Sequence, residues 1–448
     1  MFDLRLRTLL GVQRLQDVTW DDLQALLNNE NAAEGPDIDY KAGPEPYKTG
    51  TEGAGEFVKD VLALANTSGG VLVLGVAEDR ATSVPAAFVP VPLLDRVRKR
   101  YRECLAQRAA PYVECLIHFV PNAPGSNEGV MLVAVPPSAS APHAVTGFKD
   151  PYDGNLRYPW RNDNTTSFMT HAQVKNAIMA AMATSTARRE VLLQAERDVL
   201  DSGVGGPIHV VTLVPDMPGS FTVNKASVEA FSASPRDFTW HPRHVLGHTA
   251  VGPRRLIATD APSGGHHVAH LHTDGSGAWR SRATLITCIN DAYTFSQAPI
   301  PCWDSQNLVE AALDKTTYLV RHATDTAGAA GTATLQISLN SAAPMQLGWW
   351  DEAAGAPFPF SAAACSEASG SASLLLDTAR EGASDLVAAV AAALADLYQN
   401  FGVAEPEELT LDGKVNISRW RSRGREATER WAQAAGVELT VAQDRNGQ

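Results

Sequence analysis

The chain has 448 residues, 44% of them hydrophobic, and a formal net charge of −13. This length exceeds what one ordinary hydrophobic core supports, so two domains or three are expected. The acidic balance argues against a protein that coats nucleic acid without specificity, and any polyanion-binding surface must be a local patch. No apolar run approaches the roughly 20 residues of a membrane span, and the start lacks the apolar core of a signal peptide. A cytoplasmic protein with no membrane partner is therefore expected.

The cysteines and the common enzyme motifs exclude several further classes. The five cysteines are scattered and contain no C-x-x-C pair, which is typical of reduced thiols and not of a disulfide framework or a zinc site. No P-loop, G-x-G-x-x-G or G-x-S-x-G motif occurs. Standard P-loop NTPase, Rossmann and α/β-hydrolase interpretations therefore lack their usual support.

The first half of the chain mixes helical and strand patterns. In chain order these are a capped helix at 19–27, a strand at 38–41, an amphipathic helix at 56–66, a continuous apolar strand at 71–77, a basic helix at 93–108, strands at 113–119 and 130–135, a strand at 157–160 and a helix at 170–182. The strand at 71–77 is apolar throughout, which predicts that both of its faces are covered. These elements predict a first domain over residues 1–185.

The second half is predicted to begin after a helix and a glycine-rich linker over residues 186–207. Residues 208–448 then read as a second mixed domain, α/β or α+β, of unknown function. Its clearest elements are strands at 208–214, 255–259, 284–288 and 334–339 and a helix at 384–398. The predicted fold class of the whole chain is therefore α+β.

Acidic residues occur in or beside the first two predicted strands. Asp39 and Lys41 are two positions apart, so in a strand their side chains share one face. This D-x-K spacing is used by metal-dependent nucleases, in which the acid binds Mg²⁺ or Mn²⁺ and the lysine stabilises developing charge. Glu34 lies upstream, and Glu78 and Asp79 follow the apolar strand. On composition alone, ordinary solvated charges at strand ends are the favoured interpretation.

Basic and aromatic residues supply candidate contacts to a nucleic acid. The basic helix carries charges on all sides, so a solvated surface helix is the alternative to a phosphate-tracking element. The segment at 157–166 combines arginine with aromatic residues, a pair that grips single strands by charge and stacking, although it also suits a half-buried strand end. The predicted nucleic-acid contacts are Arg98, Lys99, Arg102, Arg157, Trp160 and Arg161.

Three motifs, in the correct order, resemble those of the Schlafen-type AlbA domain over residues 20–180. The family's opening E-S-x-x-[LV]-E-[FY]-K appears at residues 34–41 as EGPDIDYK. Its A-x-A-N-[ST]-x-G-G block appears at residues 63–70 as ALANTSGG, followed by a strand and Gly75-Val76 with acids. Its aromatic strand with R-x-G-[ST]-[ST] appears at residues 158–165 as YPWRNDNT, with Asp163 in place of the glycine.

The resemblance implies a mixed sheet with flanking helices that binds nucleic acid, in a family often described as DNA-binding or divergent ATP-binding. Some Schlafen proteins are ribonucleases that cut structured RNA at a three-carboxylate metal site. Carried over by motif, the acids are Glu34, Asp39 and one of Glu78 or Asp79, with Lys41 beside them. Asp39 stands where the family has a glutamate, and its shorter side chain would displace a metal by about an ångström.

The function implied is a bacterial-type nucleic-acid-binding protein that acts on RNA in preference to DNA. The sharper hypothesis is an endoribonuclease dependent on Mg²⁺ or Mn²⁺, with Glu34, Asp39 and Glu78 as metal ligands. The alternative is a non-catalytic transcriptional regulator or sensor that binds ATP or DNA. The zinc-binding set of animal Schlafens has no evident counterpart in this sequence.

Overall fold

The protein is represented by a computed structural model. It describes residues 4–12, 15–43, 45–48, 50–138, 140–149, 154–202, 205–233, 246–261, 265–288, 300–351, 355–381 and 383–441. The chain forms two compact units, Met1–Ala187 and Arg188–Gln448. Both units combine helices with strands in several sheets, which confirms the α+β class.

The first unit contains short strands and a few longer helices. Its α-helices are Leu4–Leu10, Trp20–Leu23, Thr51–Ala65, Asp95–Arg108 and the first part of His171–Leu200. Its strands are Ile38–Lys41, Gly70–Leu74, Val76–Glu78, Pro85–Phe88, Val91–Pro92, Ala109–Ala110, Leu116–Pro121, Glu128–Val135, Ala144–Thr146, Leu156–Arg157, Pro159–Asn162 and Thr165–Phe168.

A mixed sheet forms the centre of the first unit. Ile38–Lys41 pairs in parallel with Gly70–Leu74, which pairs in antiparallel fashion with Glu128–Val135. The parallel pair is connected through the helix Thr51–Ala65, as parallel strands require a crossover. Apolar clusters cover both faces of the sheet. Alternate residues of each strand therefore enter different cores, and Asp39, in the middle of the first strand, is buried.

The predicted continuous strand at 71–77 is interrupted in the structure. Gly75 has a φ of 107°, and a Cβ atom there would lie 2.9 Å from the carbonyl oxygen of Gly129. The chain turns at this glycine, and Val76–Glu78 pairs with Pro85–Phe88 in a separate two-stranded sheet. The turn needs a residue without a side chain, a constraint that an apolar run does not display.

The second unit is built on a larger antiparallel sheet. Its α-helices are Lys225–Ala233, Ser305–Arg321, Leu376–Glu381, Ala383–Gln399 and Ser422–Ala435. Its strands are Ile208–Met217, His248–Gly252, Arg255–Thr259, His267–His272, Gly277–Arg282, Leu285–Cys288, Ile300–Asp304, Ala330–Met345, Leu347–Asp351, Ala356–Pro359, Cys365–Leu375, Val415–Asn416 and Leu439–Thr440. The long strand Ile208–Met217 lies inside the seven-stranded sheet, and Ser305–Arg321 and Ala383–Gln399 contribute to its main apolar core.

The predicted helices at 170–182 and 186–200 are one continuous helix, His171–Leu200. The threonines between them do not break it, because Thr184 and Thr186 donate their hydroxyls to the carbonyls of Ala180 and Met182. Such bonds to the preceding turn satisfy the hydroxyl within the helix. The boundary between the two units falls inside this helix.

Candidate functional site

Two residues of the D-x-K motif lie on the first strand and face the same core. Asp39 pairs with Leu72 and Lys41 with Leu74 in the parallel register. Asp39 is only 1% exposed, so it is not the solvated strand-end charge that composition alone allowed. A buried carboxylate needs charged or hydrogen-bonding partners, because burial without them costs several kcal/mol.

Lys41 and Arg161 contact the Asp39 carboxylate. Lys41 Nζ lies 2.8 Å from Asp39 Oδ2, and Arg161 Nη1 lies 3.6 Å from the same oxygen. Arg161 Nη2 also donates to Glu34 Oε1 at 3.0 Å and to the carbonyl of Gly35 at 2.8 Å. The first and third sequence motifs therefore meet here, and Glu34 and Asp39 of the first motif share one buried guanidinium.

The helix Thr51–Ala65 adds an acid that the sequence interpretation missed. Asp60 is buried, lies 3.8 Å from Lys41 Nζ and 3.3 Å from Lys59 Nζ, and accepts a hydrogen bond from Tyr47 Oη at 2.9 Å. Its position three residues after Phe57 places it on the apolar side of the helix. An acidic residue on the apolar side of an amphipathic helix was the sequence feature that could have identified Asp60. Glu34, Asp39, Lys41, Asp60 and Arg161 are hereafter the charged cluster.

The second motif positions the strand that carries Arg161. The Asn66 amide donates to the carbonyls of His143 and Pro159 at 2.8 and 2.7 Å and accepts from the His143 N–H at 2.6 Å. Thr67 Oγ1 accepts from the Arg161 N–H at 3.0 Å. Asn66 and Thr67 thus fix Pro159–Asn162 against the end of the helix, which brings the Arg161 guanidinium to the acids.

The glycines of the same motif permit a close backbone approach. The Val71 N–H donates to the Asp37 carbonyl at 2.8 Å. A Cβ atom on Gly70 would lie 2.5 Å from that carbonyl oxygen, so a larger residue would separate the two strands. The A-x-A-N-[ST]-x-G-G block therefore has two structural effects. Asn66 and Thr67 hold the strand Pro159–Asn162, and Gly70 lets the two parallel strands approach each other closely.

Burial and charge shift the pKa values within the charged cluster. Burial, with a hydrogen bond to Glu34, raises the pKa of Asp39 to about 6 despite the opposing charges of Lys41 and Arg161. Burial also raises the pKa of Asp60, although Lys41 opposes the shift. For Lys41, burial by itself lowers the pKa, but the carboxylates of Asp39 and Asp60 outweigh it and the pKa is raised. Lys41 therefore stays charged at neutral pH while Asp39 is close to titrating.

Glu78 and Asp79 lie after the turn at Gly75. Asp79 is exposed, and its Oδ1 accepts from the backbone N–H groups of Ala81 and Thr82 at 2.9 and 3.0 Å, so it closes its own turn. Those hydrogen bonds lower the pKa of Asp79. Glu78 is half-buried, and its charge acts on Tyr40, which faces the opposite core from Asp39.

The charged cluster has some, but not all, of the oxygen ligands that a divalent metal needs. Oxygen ligands suit Mg²⁺ and Mn²⁺, and Glu34 and Asp39 would supply two carboxylates. Within the described part of the chain, however, no three His, Cys, Asp or Glu side chains are grouped to hold a metal ion. Arg161 and Lys41 occupy the contacts that a cation would make. The arrangement does not fit a three-carboxylate site, and the metal stays a prediction.

Arg157 lies against two aromatic rings instead of beside Trp160. Its guanidinium carbon is 5.7 Å from the Phe148 ring centre and 5.8 Å from that of Phe168. The two rings meet edge to face at 5.5 Å, and Lys59 Nζ lies 5.9 Å from the Phe148 centre. Lys59, Phe148, Arg157 and Phe168 are hereafter the Phe148 surface. Trp160 is half-buried on the strand Pro159–Asn162.

The predicted contacts on the basic helix point in different directions. Arg98 stacks on the Phe119 ring at 4.1 Å, and Lys99 is 79% exposed beside Glu103. Arg102 is also exposed. Two other arginines of this helix bind backbone near the Phe148 surface: Arg100 donates to the Tyr47 carbonyl and Arg108 to the Gly147 carbonyl.

One family model matches part of this unit. Residues 34–170 match the family model described as Schlafen, AlbA_2, which confirms the family resemblance over these residues. The match supports nucleic-acid binding as the class of function. It covers less than half of the chain and does not extend to the second unit.

Two of the solved structures that match this chain come from Nitrosomonas europaea and Corynebacterium diphtheriae. The N-terminal domain of a RecG-related protein from Nitrosomonas europaea is 20% identical, with a TM-score of 0.20, over 34% of this chain and 92% of that chain. The DIP2311 protein from Corynebacterium diphtheriae is 12% identical, with a TM-score of 0.23, over 92% of this chain and 72% of that chain. No curated protein matches the sequence. Among the described residues, no helix has the length and apolar character needed to cross a membrane.

Proposed function

We propose that the first unit binds nucleic acid, RNA in preference to DNA, through the Phe148 surface beside the charged cluster. The observation that carries this proposal is that Arg157 lies against two aromatic rings, next to the strand that the family's second motif fixes in place. An exposed arginine and stackable rings bind single-stranded or unpaired nucleotides through charge and π-contacts. Nucleic-acid binding by an acidic chain requires such a local patch.

The geometry gives each part of this surface a role. Phe148 is 6% exposed and lies 5.7 Å from the Arg157 guanidinium, whereas Phe168 is 39% exposed and offers a ring to a base. Stacking on an aromatic side chain contributes about 1–3 kcal/mol per base. Arg157 supplies the phosphate contact, and its position against the rings reduces the entropy lost on binding.

The charged cluster supports this surface without repelling phosphate. Lys41, Arg161 and the adjacent Lys59 offset the three carboxylates of the cluster. The Arg161 interaction holds the strand Pro159–Asn162, which begins two residues after Arg157. We assign the cluster a positioning role in the first instance, which favours a binder without catalysis.

A second candidate function, endoribonuclease activity, is favoured by one observation. The pKa of Asp39, raised to about 6 by burial, is suited to proton transfer near neutral pH, and Lys41 Nζ lies 2.8 Å away. Dependence on Mg²⁺ or Mn²⁺ would require a third carboxylate to join Glu34 and Asp39. RNA cleavage is therefore our second proposal, after nucleic-acid binding. ATP binding is expected only if the protein is a transcriptional regulator or sensor.

Binding is tested with Arg157→Ala and fluorescence anisotropy of labelled single-stranded RNA, single-stranded DNA and duplex DNA. We expect the substitution to weaken RNA binding about tenfold and to reduce the salt slope by about 0.7, as the loss of one phosphate contact on a single strand predicts. Lys225→Ala is the matched control, because it removes one positive charge from a side chain that is 91% exposed in the second unit. Equal affinities for the two variants would exclude the Phe148 surface as the interface.

Cleavage is tested by incubating wild-type protein and Asp39→Asn with total tRNA in Mn²⁺ or in EDTA. A binder gives no products in either condition, and ATP displaces the nucleic acid only under the regulator alternative. Products that require Mn²⁺ and disappear in Asp39→Asn would replace the binder with the metal-dependent ribonuclease. Products that persist in EDTA but disappear in the variant would assign proton transfer to Asp39 without a metal.

A further inference from the structure

The second unit contains a cavity with a buried lysine in its wall. Its volume is about 210 Å³, and it lies between the strand Gly277–Arg282 and the helix Ser305–Arg321. Asn307, Ala311 and Lys315 line it from the helix, as their spacing of four residues places them on one helical face. This cavity belongs to neither the charged cluster nor the Phe148 surface.

Lys315 is held in place by three short contacts. Its Nζ donates to the His209 carbonyl at 3.0 Å and to Ser281 Oγ at 2.7 Å, and it lies 2.9 Å from His209 Nδ1. The residue is 2% exposed. In a neutral amine the two N–H groups donate to the two oxygens, and the lone pair then faces His209 Nδ1.

The surrounding charges favour the neutral amine. Burial lowers the pKa of Lys315 well below its ordinary value, and the nearby Arg280 guanidinium lowers it further, while the Asp314 carboxylate opposes the shift. A buried amine beside another cation is the environment in which lysine becomes a nucleophile. The imidazole of His209 and the hydroxyl of Ser281, both in contact with Nζ, are groups that exchange protons.

The rest of the wall indicates the kind of molecule that fits. Trp279, Ala283 and Ala311 supply apolar surface, and the exposed Arg282 supplies a positive charge. Arginine binds carboxylates through paired hydrogen bonds. The cavity therefore suits a small molecule that combines a carboxylate with an uncharged reactive carbon, as in a 2-oxo acid.

We propose that Lys315 is a nucleophilic amine that forms an imine with a small 2-oxo acid bound in this cavity. The Nζ lone pair forms a bond to the carbonyl carbon, one N–H proton is lost from nitrogen and the carbonyl oxygen gains a proton, which gives a carbinolamine. The hydroxyl takes up a second proton and leaves as water, and the remaining N–H proton is released, so that amine and ketone give imine and water. His209 Nδ1 and Ser281 Oγ are placed to exchange these protons.

The test is reductive trapping on the full-length protein at pH 7. Pyruvate is added with sodium cyanoborohydride, whose hydride reduces the C=N bond to a stable secondary amine, and peptide mass spectrometry locates the product. At this pH an ordinary lysine, with a pKa of about 10.4, has only about 0.0004 of its amine unprotonated. We expect labelling of Lys315 at least about tenfold above that of the exposed Lys225, which serves as the internal reference.

Two variants and a neutral ketone make the result specific. Lys315→Met should lose the labelled peptide while the other lysines react as before, with circular dichroism confirming the fold. Arg282→Ala should lower labelling by pyruvate at least about threefold and leave labelling by hydroxyacetone unchanged, because only pyruvate carries a carboxylate. Labelling of Lys315 at or below the level of Lys225 in the folded wild-type protein would overturn the proposal and leave Lys315 a structural residue.

Discussion

Asp39→Asn should change how the stability of the first unit depends on pH. The side chain of Asp39 is buried in the charged cluster, and its pKa is raised from 3.8 to about 6 by burial and by the hydrogen bond to Glu34. Asparagine has nearly the same shape and resembles the protonated acid. The substitution therefore removes the ionisation of Asp39 while keeping most of its packing.

The sign follows from the two pKa values of Asp39. The folded-state value lies above the unfolded one, so folding favours the protonated acid, and the stabilisation is complete below about pH 4. It decreases as the pH rises and is lost above about pH 6. A difference of about 2 pKa units corresponds to about 3 kcal/mol, because one unit is worth about 1.4 kcal/mol. We expect about 2 kcal/mol of this loss between pH 4 and pH 6.

The assay compares wild-type protein with Asp39→Asn in urea at a series of pH values. Pulse labelling by hydrogen exchange at a fixed pH follows the peptides of Ile38–Lys41 and Gly70–Leu74, which report the first unit separately from the second. The free energy of unfolding of the wild type should fall relative to the variant as the pH rises. Asp79→Asn is the matched control, because Asp79 is exposed and should not reproduce this change.

Two outcomes would contradict the argument for Asp39. A difference between wild type and variant that is constant from pH 4 to pH 7 would show that its pKa is not raised. A wild type that gains stability over the variant as the pH rises would show that the ion pairs with Lys41 and Arg161 outweigh the cost of burial. In that case the ionised Asp39 would stabilise the fold through its ion pairs instead of destabilising it through burial of its charge.

Three further substitutions test the geometry of the site. Arg161→Met leaves two buried acids without their shared cation and should lower the free energy of unfolding by about 3–5 kcal/mol, whereas Arg157→Met should cost less than about 1 kcal/mol in the same urea titration. Asn66→Ala removes three hydrogen bonds to backbone groups and should cost about 2–4 kcal/mol by that assay, and an unchanged midpoint would refute its bridging role. Gly70→Ala should lower the thermal midpoint of the first unit by at least about 10 °C, while Gly154→Ala, which has open space around it, should leave it within about 2 °C.

Local pattern identified much of the first unit. The alternation at 38–41 placed Asp39 and Lys41 on one face, and the structure confirms their shared side. Residues 34–170 match the family that the three motifs resemble. The motifs also gave Glu34 as a predicted metal ligand and Arg161 as a predicted nucleic-acid contact, and the structure pairs these two side chains with each other at 3.0 Å. The shared strand face and the family resemblance could be predicted because strand periodicity and motif spacing are properties of neighbouring residues.

The sequence by itself determined which residues would be charged, apolar or conformationally special, and with them the α+β class and the main elements of the first unit. Only the tertiary structure decided their partners. The turn at Gly75 places Glu78 in a separate two-stranded sheet, and Asp60 joins the cluster from a helix whose pattern appeared apolar. Pairing depends on which backbone segments approach each other in space, and a polar atom's partner in the core is fixed by that approach rather than by distance along the chain.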